Sequence, residues 1–492
     1  MKFTDPAFFS FLLIVLILYP IVQRHYWTMI TIMLVASLYF YSYHGELRLL
    51  LILSYCVINW WVGLHIQRSI RPRLVLGFGV GFNIAALCFF KYTPMLVRTF
   101  VDLLSWVGIN AQLPNDIFIE WSIPFGLSFY AFTGIAYMVD IYRNQAQPDP
   151  KFMRFSLYLS FFPQLMAGPI LRPREFLTKL KPDIMRALSK EFSEGVYLFG
   201  RGMFKKMVLA DRIALTIDPF FAHVGNLSTA GVWALPYIYL YALQIFFDFS
   251  GYTDMARGMG LLFGFRWPEN FKYPYLALSI QDFWHRWHIT LSKFLRDYLY
   301  IPLGGSKAGR LRTYLNIMIT MLLGGIWHGA SWSFMLWGGF HGLLLVVYRI
   351  WKETMPGQHM SSLQGIPSML WKVLSWFFTF HCVCVLWSFF RLTSFPDSLA
   401  CIRKLVIFDM DKIFVGGAEN ASLWLLLMAY GLFVAIAYFA GQKVTVWQEK
   451  CTIPNAVNTV RGFTWGITAM LLVLTFVLSP GGEAPAFIYF QF

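Results

Sequence analysis

Apolar runs long enough to cross a lipid bilayer recur along most of this chain. A spanning helix takes about 20 apolar residues, because the hydrocarbon layer is about 30 Å thick. The 492 residues are 58% hydrophobic and only 13% charged, whereas soluble domains carry about 25% charged residues. The sequence therefore predicts an all-α polytopic membrane protein with about eleven or twelve transmembrane helices.

The apolar runs are separated by short polar connections, which define the expected spans. These spans are Phe8–Val22, Trp27–Tyr43, Leu49–Ile66, Val75–Phe90, a weaker Met95–Ile109, Ile119–Arg143, Val232–Phe249, Tyr314–Ile326, Ser331–Ile350, Trp371–Phe390, Ala421–Phe439 and Phe463–Leu478. Met255–Phe265 is expected to form a separate short helix. We expect the first span to stay as a membrane anchor, because no small-residue cleavage site follows it.

The formal net charge of +15 is explained by orientation in the membrane rather than by nucleic-acid binding. Lys and Arg gather in cytoplasmic loops, and Arg68, Arg71 and Arg73 form the first clearly basic loop. A longer basic stretch runs from Arg172 to Arg212. Both are predicted to be cytoplasmic, with the N-terminus outside. No basic stripe interleaved with exposed aromatics is visible, so nucleic acid is not an expected partner.

Two further segments are expected at or near the membrane without crossing it as regular helices. Phe161–Phe176 is apolar but contains prolines and a glycine that forbid one continuous helix. Such a backbone survives at membrane depth only when it is buried in protein or lines a cavity. Ile280–Tyr300 predicts one amphipathic helix at the membrane surface, with an apolar stripe through Trp284, Trp287 and Leu291.

His328 is the first candidate for catalysis, because it stands in the motif GGIWHGA within a long apolar region. An ionisable residue at membrane depth is a functional hypothesis by default. Gly324, Gly325 and Gly329 would let other backbones, or a substrate, approach it closely. The alternative is a core imidazole that hydrogen-bonds a neighbouring helix.

His288 is the second candidate, and it could face the same cavity as His328. A structural histidine at the interface is the alternative. His285 and His288 would share one face of the predicted helix. A zinc site needs further ligands at fixed spacing, and none is evident, so no metal is expected. His341 lies thirteen residues after His328, too far along a helix for one site unless the helix breaks, and we interpret it as structural.

Other polar residues on apolar ground are interpreted as structural. Asp248, Asp254 and Arg257 are expected to hold broken helices together, with Asp254 and Arg257 paired at i,i+3. Asn270 and Tyr273, beside Pro274, indicate local capping and turn chemistry. The six cysteines are read as small buried hydrophobes. No Walker loop, GxSxG motif or Ser–His–Asp arrangement is visible. The residues alone support a membrane protein with a buried cavity that bears histidines.

Several motifs together resemble the membrane-bound O-acyltransferase family, and within it the bacterial alginate O-acetyltransferase branch. The motifs are GLSFYAFTGIAYMVDIYR, FFPQLMAGPILRP, FDFSGYTDMARGMGLLFGFRWPENFKYPYL, FWHRWHITLSKFLRDYLYIPLGG, WHGASWSFMLWGGFHG and the closing FIYFQF. Each motif alone is modest, but their order and spacing are specific. The resemblance is strong from Pro124 to His341 and looser over the whole chain.

The resemblance implies a fold, an activity and a location. The implied fold is one transmembrane domain over residues 1–492, built around a central pore, with the motif-bearing catalytic core over 118–350. The implied enzyme is an acyltransferase that transfers groups other than aminoacyl groups. It would take an acetyl group from acetyl-CoA in the cytoplasm and pass it across the bacterial inner membrane. A periplasmic SGNH-type acetyltransferase would be the partner, and an exopolysaccharide, with alginate as the leading candidate, would be the final acceptor.

The resemblance also assigns roles, since the family's signature histidine falls on His328 and its second polar position on His288. Attack on a thioester needs a base for the acceptor hydroxyl, and histidine suits this task. We expect His328 to be that base and His288 to orient the donor or the acyl carbonyl. His285 matches no family motif. Lys293, Arg296 and Lys307 could meet the donor's phosphates, although positive-inside topology explains them equally well.

Several rival functions remain open at this stage. Relatives with the same core transfer D-alanine to teichoic acid, although they are usually shorter than this chain. Peptidoglycan and cellulose are alternative acceptors, and lipid modification is a further possibility. A transporter with a histidine site at mid-membrane belongs to another class, but inverted repeats, which transporters often show, are not evident.

Overall fold

The computed structural model describes residues 1, 3–43, 45–109, 124, 126–166, 168–181, 188–225, 232–407, 466, 468–475 and 477–479. Within these ranges the chain forms helices and turns, with no strand, which confirms the all-α prediction. The α-helices are α1 (Pro6–Val22), α2 (Tyr26–Ser42), α3 (Glu46–Ile66), α4 (Pro72–Leu87), α5 (Thr93–Trp106), α6 (Leu127–Tyr142), α7 (Phe152–Ser160), α8 (Phe162–Leu165), α9 (Pro173–Phe176), α10 (Leu188–Met203), α11 (Asp211–Ala222), α12 (Leu235–Leu262), α13 (Ile280–Arg286), α14 (Ile289–Leu295), α15 (Arg310–His328), α16 (Trp332–Glu353), α17 (Met355–Ser362), α18 (Gly365–Arg391) and α19 (Phe395–Arg403).

Wider π-helical turns occur at Cys88–Tyr92, Phe204–Ala210 and Arg296–Tyr300, and a 3₁₀ turn occurs at Pro274–Leu276. Such π turns are rare in proteins and are frequent at functional sites. The turn at Phe204–Ala210 bears the buried Lys206, which takes part in the charged cluster described below.

Long apolar helices make the chain a membrane protein. By length and composition, Arg48–Ile66, Pro72–Trp106, Trp332–Glu353 and Gly365–Arg391 can each cross a bilayer, and α1 and α2 are shorter apolar helices. Large apolar side chains remain exposed on these helices, as Leu13 and Ile17 do on α1. A lipid environment covers such side chains without cost, because hydrocarbon tails are as apolar as leucine.

The expected number of spans remains a prediction. Helices α1, α2 and α3 agree with the first three expected spans. The fourth and fifth expected spans, Val75–Phe90 and Met95–Ile109, lie on one continuous helical stretch, Pro72–Trp106. Ala421–Phe439 lies outside the described residues, and Phe463–Leu478 lies largely outside them. The single domain and the catalytic core over 118–350 likewise remain predictions. By compactness the chain divides into a first unit, 1–203 with 252–269, and a second unit, 204–251 with 270–492.

In the first unit, the segment Phe161–Phe176 is broken as predicted. After α7 it forms the single turn α8 and the single turn α9, and residues 169–172 before α9 belong to no helix. All four residues of α8 are buried, as irregular backbone in a membrane protein requires. Gly126, with φ of 74°, begins α6 against this segment. A Cβ built at Gly126 would lie 2.5 Å from the carbonyl oxygen of Leu165.

The expectation of a separate short helix at Met255–Phe265 is wrong. This stretch continues α12, which runs unbroken for 28 residues to Leu262. Polar residues tie the end of α12 to α10 within the first unit. Arg201 donates to both carboxylate oxygens of Asp254 at 3.0 and 2.8 Å. The predicted pair of Asp254 with Arg257 is confirmed at 3.8 Å.

In the second unit, α15 and α16 form a tight helical hairpin. A Cβ built at Gly325 would lie 2.3 Å from the carbonyl oxygen of Phe334 and 3.0 Å from the Cα of Gly338. The small residues around His328 therefore allow another backbone to approach, as the sequence suggested. Beside this hairpin lies an aromatic core in which Trp387 packs at 4.9 Å from Trp287 and 5.7 Å from Trp337.

Candidate active site

The predicted amphipathic helix Ile280–Tyr300 is broken at His288, which corrects the sequence interpretation. Helix α13 ends at Arg286, and α14 begins at Ile289. His288 is the residue before α14 and has a left-handed backbone, with φ of 41° and ψ of 56°. Non-glycine residues rarely adopt this conformation, and where they do, they cluster at functional sites. His285 and His288 therefore do not share one helix face: His285 is exposed and His288 is buried.

A loop earlier in the chain stabilises the break. The side-chain oxygen of Asn270 accepts hydrogen bonds from the backbone N–H of Thr290 at 3.1 Å and from its hydroxyl at 2.7 Å. The carbonyl oxygen of Asn270 accepts from the backbone N–H of Ile289 at 2.9 Å. Asn270 thus caps α14, as a capping residue should, but it does so from twenty residues away rather than locally.

His288 lies in an aromatic environment on the second unit. Its side chain is fully buried. The ring of Phe249 stands edge-on to the imidazole at 4.7 Å, and the ring of Phe271 lies at 6.4 Å. The centroid of the Trp327 indole is 6.2 Å away. The histidine is therefore buried among aromatic rings.

His328 is the last residue of α15, and the chain leaves the helix at Gly329. Its side chain is 4% exposed. The indole of Trp337 stands edge-on at 5.0 Å, and the ring of Phe390 lies at 5.1 Å. The carbonyl dipoles at a helix C-terminus stabilise positive charge, which suits an imidazole that accepts a proton during a reaction.

Trp327 brings the two predicted histidines together. Its indole centroid lies 4.8 Å from the ring of His328 and 6.2 Å from the ring of His288. The two imidazoles come from helices α14 and α15, which are separate in sequence. Both imidazoles therefore lie near the same indole ring, as the hypothesis of a shared site requires, while their catalytic roles remain predictions.

His341 belongs to the same cluster, although sequence reasoning set it aside. A continuous helix would have kept it away from His328, but the chain breaks at Gly329–Ser331 and α16 returns alongside α15. The ring of Trp337 lies 5.0 Å from His328 and 4.7 Å from His341. The small and polar run Gly329–Ser331 is the sequence signal for this break, since serine is a common helix cap. In the structure Ser331 caps α16 and accepts a hydrogen bond from the N–H of Ser333.

A buried charged cluster in the second unit was also missed. The Nζ atom of Lys206 lies 2.7 Å from Asp211 and 2.8 Å from Asp248, and all three side chains are buried. Asp248 and Asp254, which the sequence analysis treats as one polar group, therefore belong to two groups. Asp248 pairs with Lys206 in the second unit, and Asp254 pairs with Arg201 in the first. The sequence signals for this cluster are Asp248 on apolar ground and the lysine pair Lys205–Lys206 within the basic stretch.

The described histidines offer acid–base chemistry. Among the described residues, no three His, Cys, Asp or Glu side chains are placed to hold a metal ion. Lys293, Arg296 and Lys307, the expected partners of donor phosphates, are exposed. Arg296 pairs with the adjacent Asp297 at 2.7 Å. Their part in donor binding remains a prediction.

Comparison with known proteins gives the same answer as the motifs. The sequence profile described as "MBOAT, membrane-bound O-acyltransferase family" matches residues 142–390, which is half of the chain. The chain is 34% identical to the "Probable alginate O-acetylase AlgI" of Pseudomonas putida. The alignment is 513 positions long and covers 100% of both proteins.

Other relatives act on other polymers. The chain is 36% identical to the "Peptidoglycan O-acetyltransferase" of Helicobacter pylori, over 76% of this chain and 73% of that protein. It is 26% identical to the "Teichoic acid D-alanyltransferase" of Bacillus subtilis, over 72% of this chain and 87% of that protein. The chain therefore belongs to the membrane-bound O-acyltransferase family and is an acyltransferase.

Proposed function

We propose that this acyltransferase takes an acetyl group from cytoplasmic acetyl-CoA and passes it across the inner membrane for O-acetylation of an exported polysaccharide. The observation that carries the proposal is the convergence of the buried His288 and His328 on Trp327, among aromatic side chains. Alginate is the proposed polymer, because the Pseudomonas putida alginate O-acetylase is similar over the whole chain. A periplasmic SGNH-type acetyltransferase is the proposed partner.

In the proposed reaction, the oxygen of an acceptor hydroxyl attacks the thioester carbonyl carbon. His328 takes the hydroxyl proton as the carbon–oxygen bond forms, the carbon–sulfur bond breaks, and the proton passes to the leaving thiolate. A positioned general base contributes about 100- to 10,000-fold to such a step. His288 is proposed to orient the donor or the acyl carbonyl, since its backbone and ring are fixed by the break before α14.

The buried, aromatic surroundings of both histidines support acyl transfer over hydrolysis. Each ring is packed against aromatic side chains, with Phe249 beside His288 and Phe390 beside His328. An active site that excludes water protects a reactive acyl group from hydrolysis and strengthens electrostatic interactions. Exposed basic residues, Lys293 and Lys307 among them, are proposed to attract the phosphates of the donor.

A second candidate is acetylation of peptidoglycan, which the similarity to the Helicobacter pylori protein supports. D-alanyl transfer to teichoic acid would need a carrier-protein donor instead of coenzyme A, and the similarity to the teichoic acid enzyme is lower, at 26%. The donor distinguishes acetylation of either polymer from D-alanyl transfer, because only acetyl transfer consumes acetyl-CoA.

The proposal is tested by measuring acetate in the exported polysaccharide of cells that carry His328→Ala, with the amount of protein in the membrane followed alongside. We expect acetate to fall to background at a normal protein level. Retained acetate would refute His328 as the base. If the alanine variant does not accumulate, His328→Gln fills the same space and repeats the comparison.

A further inference from the structure

Two tryptophan rings pack around His341 in the second unit. The side chain of His341 is fully buried, and neither of its ring nitrogens has a hydrogen-bond partner among the described residues. Over the same part of the chain, the indole nitrogens of Trp284 and Trp337 also lack partners. The rings of Trp284 and Trp337 lie 5.2 and 4.7 Å from the ring of His341.

The chemistry of these nitrogens defines what would bind them. An indole N–H only donates, whereas a neutral imidazole donates at one nitrogen and accepts at the other. A carbonyl oxygen could serve the donors but not the accepting nitrogen of His341. A hydroxyl group or a water molecule both accepts and donates, so one such oxygen could accept from the two indole N–H groups and donate to the accepting nitrogen of His341. Buried polar groups in proteins are nearly always hydrogen-bonded.

The side chain of Trp337 connects this cluster to His328, the proposed base. The indole of Trp337 stands edge-on to His328 at 5.0 Å and edge-on to His341 at 4.7 Å. Trp284 in turn lies 5.7 Å from Trp337. Trp337 contacts both histidines. An oxygen bound by His341 and the two indoles would therefore lie near His328, the imidazole that is proposed to take the hydroxyl proton.

We propose that His341, Trp284 and Trp337 form a hydroxyl-binding subsite beside His328. The subsite takes either the acceptor hydroxyl of the acyl transfer or a water molecule. With the acceptor hydroxyl it deepens the proposed function and rests on it, whereas with water it does not depend on the substrate. In the first case His341 fixes the attacking oxygen and His328 receives its proton.

A purely apolar role for His341 makes the opposite prediction. If the imidazole only filled space, a phenyl ring of similar shape would replace it at no loss. Replacing a buried unsatisfied polar group by an apolar one of the same shape is close to neutral or stabilising. The two readings therefore differ in the sign of the effect of one substitution.

The experiment uses the full chain purified in detergent, with acetyl-CoA as donor and a short mannuronate oligosaccharide as the hydroxyl probe. The variants are His341→Phe, His341→Gln and, as a matched control on an exposed histidine, His285→Phe. We expect His341→Phe to raise the KM for the oligosaccharide at least about tenfold, the value of one hydrogen bond. The KM for acetyl-CoA should not change, and His341→Gln should recover part of the loss.

Thermal unfolding separates the two sources of the oxygen. A lower Tm for His341→Phe, restored by His341→Gln, with both KM values unchanged, supports a bound water. A Tm equal to or above that of the unsubstituted protein, with unchanged KM values, overturns the subsite. If the unsubstituted chain does not acetylate the oligosaccharide by itself, the acetate assay in cells decides the proposed function, and the Tm comparison decides the subsite. Trp284→Phe gives the same readouts if His341→Phe does not accumulate.

Discussion

Gly325 and Gly338 meet so closely that a Cβ built at either residue would lie 3.0 Å from the Cα of the other. Each built Cβ would also lie 2.3 Å from a carbonyl oxygen, that of Phe334 or that of Met321. Gly325 is three residues before His328, and Gly338 follows Trp337 directly. The contact between these two glycines therefore sets the distance between His328 and the indole that packs against it.

We expect Gly325→Ala and Gly338→Ala each to lower the free energy of unfolding by about 1–3 kcal/mol, because the added methyl group must push rigid backbone apart. Thermal unfolding of the purified variants measures this. Gly77→Ala is the control, since a Cβ there meets nothing within 4 Å and alanine favours a helix more than glycine does. A Gly325→Ala variant as stable as Gly77→Ala would contradict the close crossing.

Asn270 is expected to stabilise the break at His288 through its cap on α14. Asn270→Ala removes the acceptor for both the N–H and the hydroxyl of Thr290 and should lower the free energy of unfolding by about 0.5–2 kcal/mol. Thr290→Val removes only the hydroxyl and should cost less. If the two residues act together, the double variant will be less destabilised than the sum of the single variants. If the losses of the two single variants add in the double variant, the hydrogen bond between Asn270 and the hydroxyl of Thr290 does not contribute to the cap.

The buried cluster of Lys206, Asp211 and Asp248 is expected to be sensitive to loss of its cation. Lys206→Met leaves two buried carboxylates without the ammonium that lies 2.7 and 2.8 Å away. Breaking a buried ion pair by removing one partner costs about 3–5 kcal/mol, so we expect little protein in the membrane and a much lower Tm.

The adjacent Lys205 provides the control for Lys206. Its ammonium lies over the ring of Phe246 at 5.7 Å, a contact worth about 0.5–2 kcal/mol. Lys205→Met should therefore be tolerated. Combining Lys206→Met with Asp211→Asn and Asp248→Asn should restore part of the stability, because the uncompensated charge is removed. Equal effects of Lys205→Met and Lys206→Met would contradict this account.

The hydrophobic pattern of the sequence was sufficient to predict helices, because a helix in lipid satisfies its own backbone and depends on local composition. The break at Phe161–Phe176 was also predictable, since Pro163 and Pro169 act locally. The break at His288 was not predictable in this way. The stripe of Trp284, Trp287 and Leu291 suits an unbroken helix, and the cap that favours the break comes from Asn270, twenty residues earlier.

The candidate site shows the same division between local and distant causes. His328 and His288 were selected because polar residues on apolar ground are costly unless they are used, and the structure places both beside Trp327. One continuous helix would place His341 far from His328, so periodicity alone predicts a structural histidine. Its place beside Trp337 results from the return of α16 along α15, which depends on tertiary packing rather than on helical periodicity.

His288 and His285 give the sharpest test of a catalytic role for the segment. His288→Asn keeps a residue that tolerates the left-handed backbone but removes the imidazole, so we expect acetyl transfer to fall about 100-fold, the cost of losing a positioning group near the reaction. His285 is exposed, and His285→Ala should change neither transfer nor stability beyond about 0.5 kcal/mol. Acetyl transferred per amount of membrane protein measures both. Normal transfer by His288→Asn at a normal protein level would make His288 a structural imidazole, and a loss with His285→Ala would move the site to the exposed face of α13.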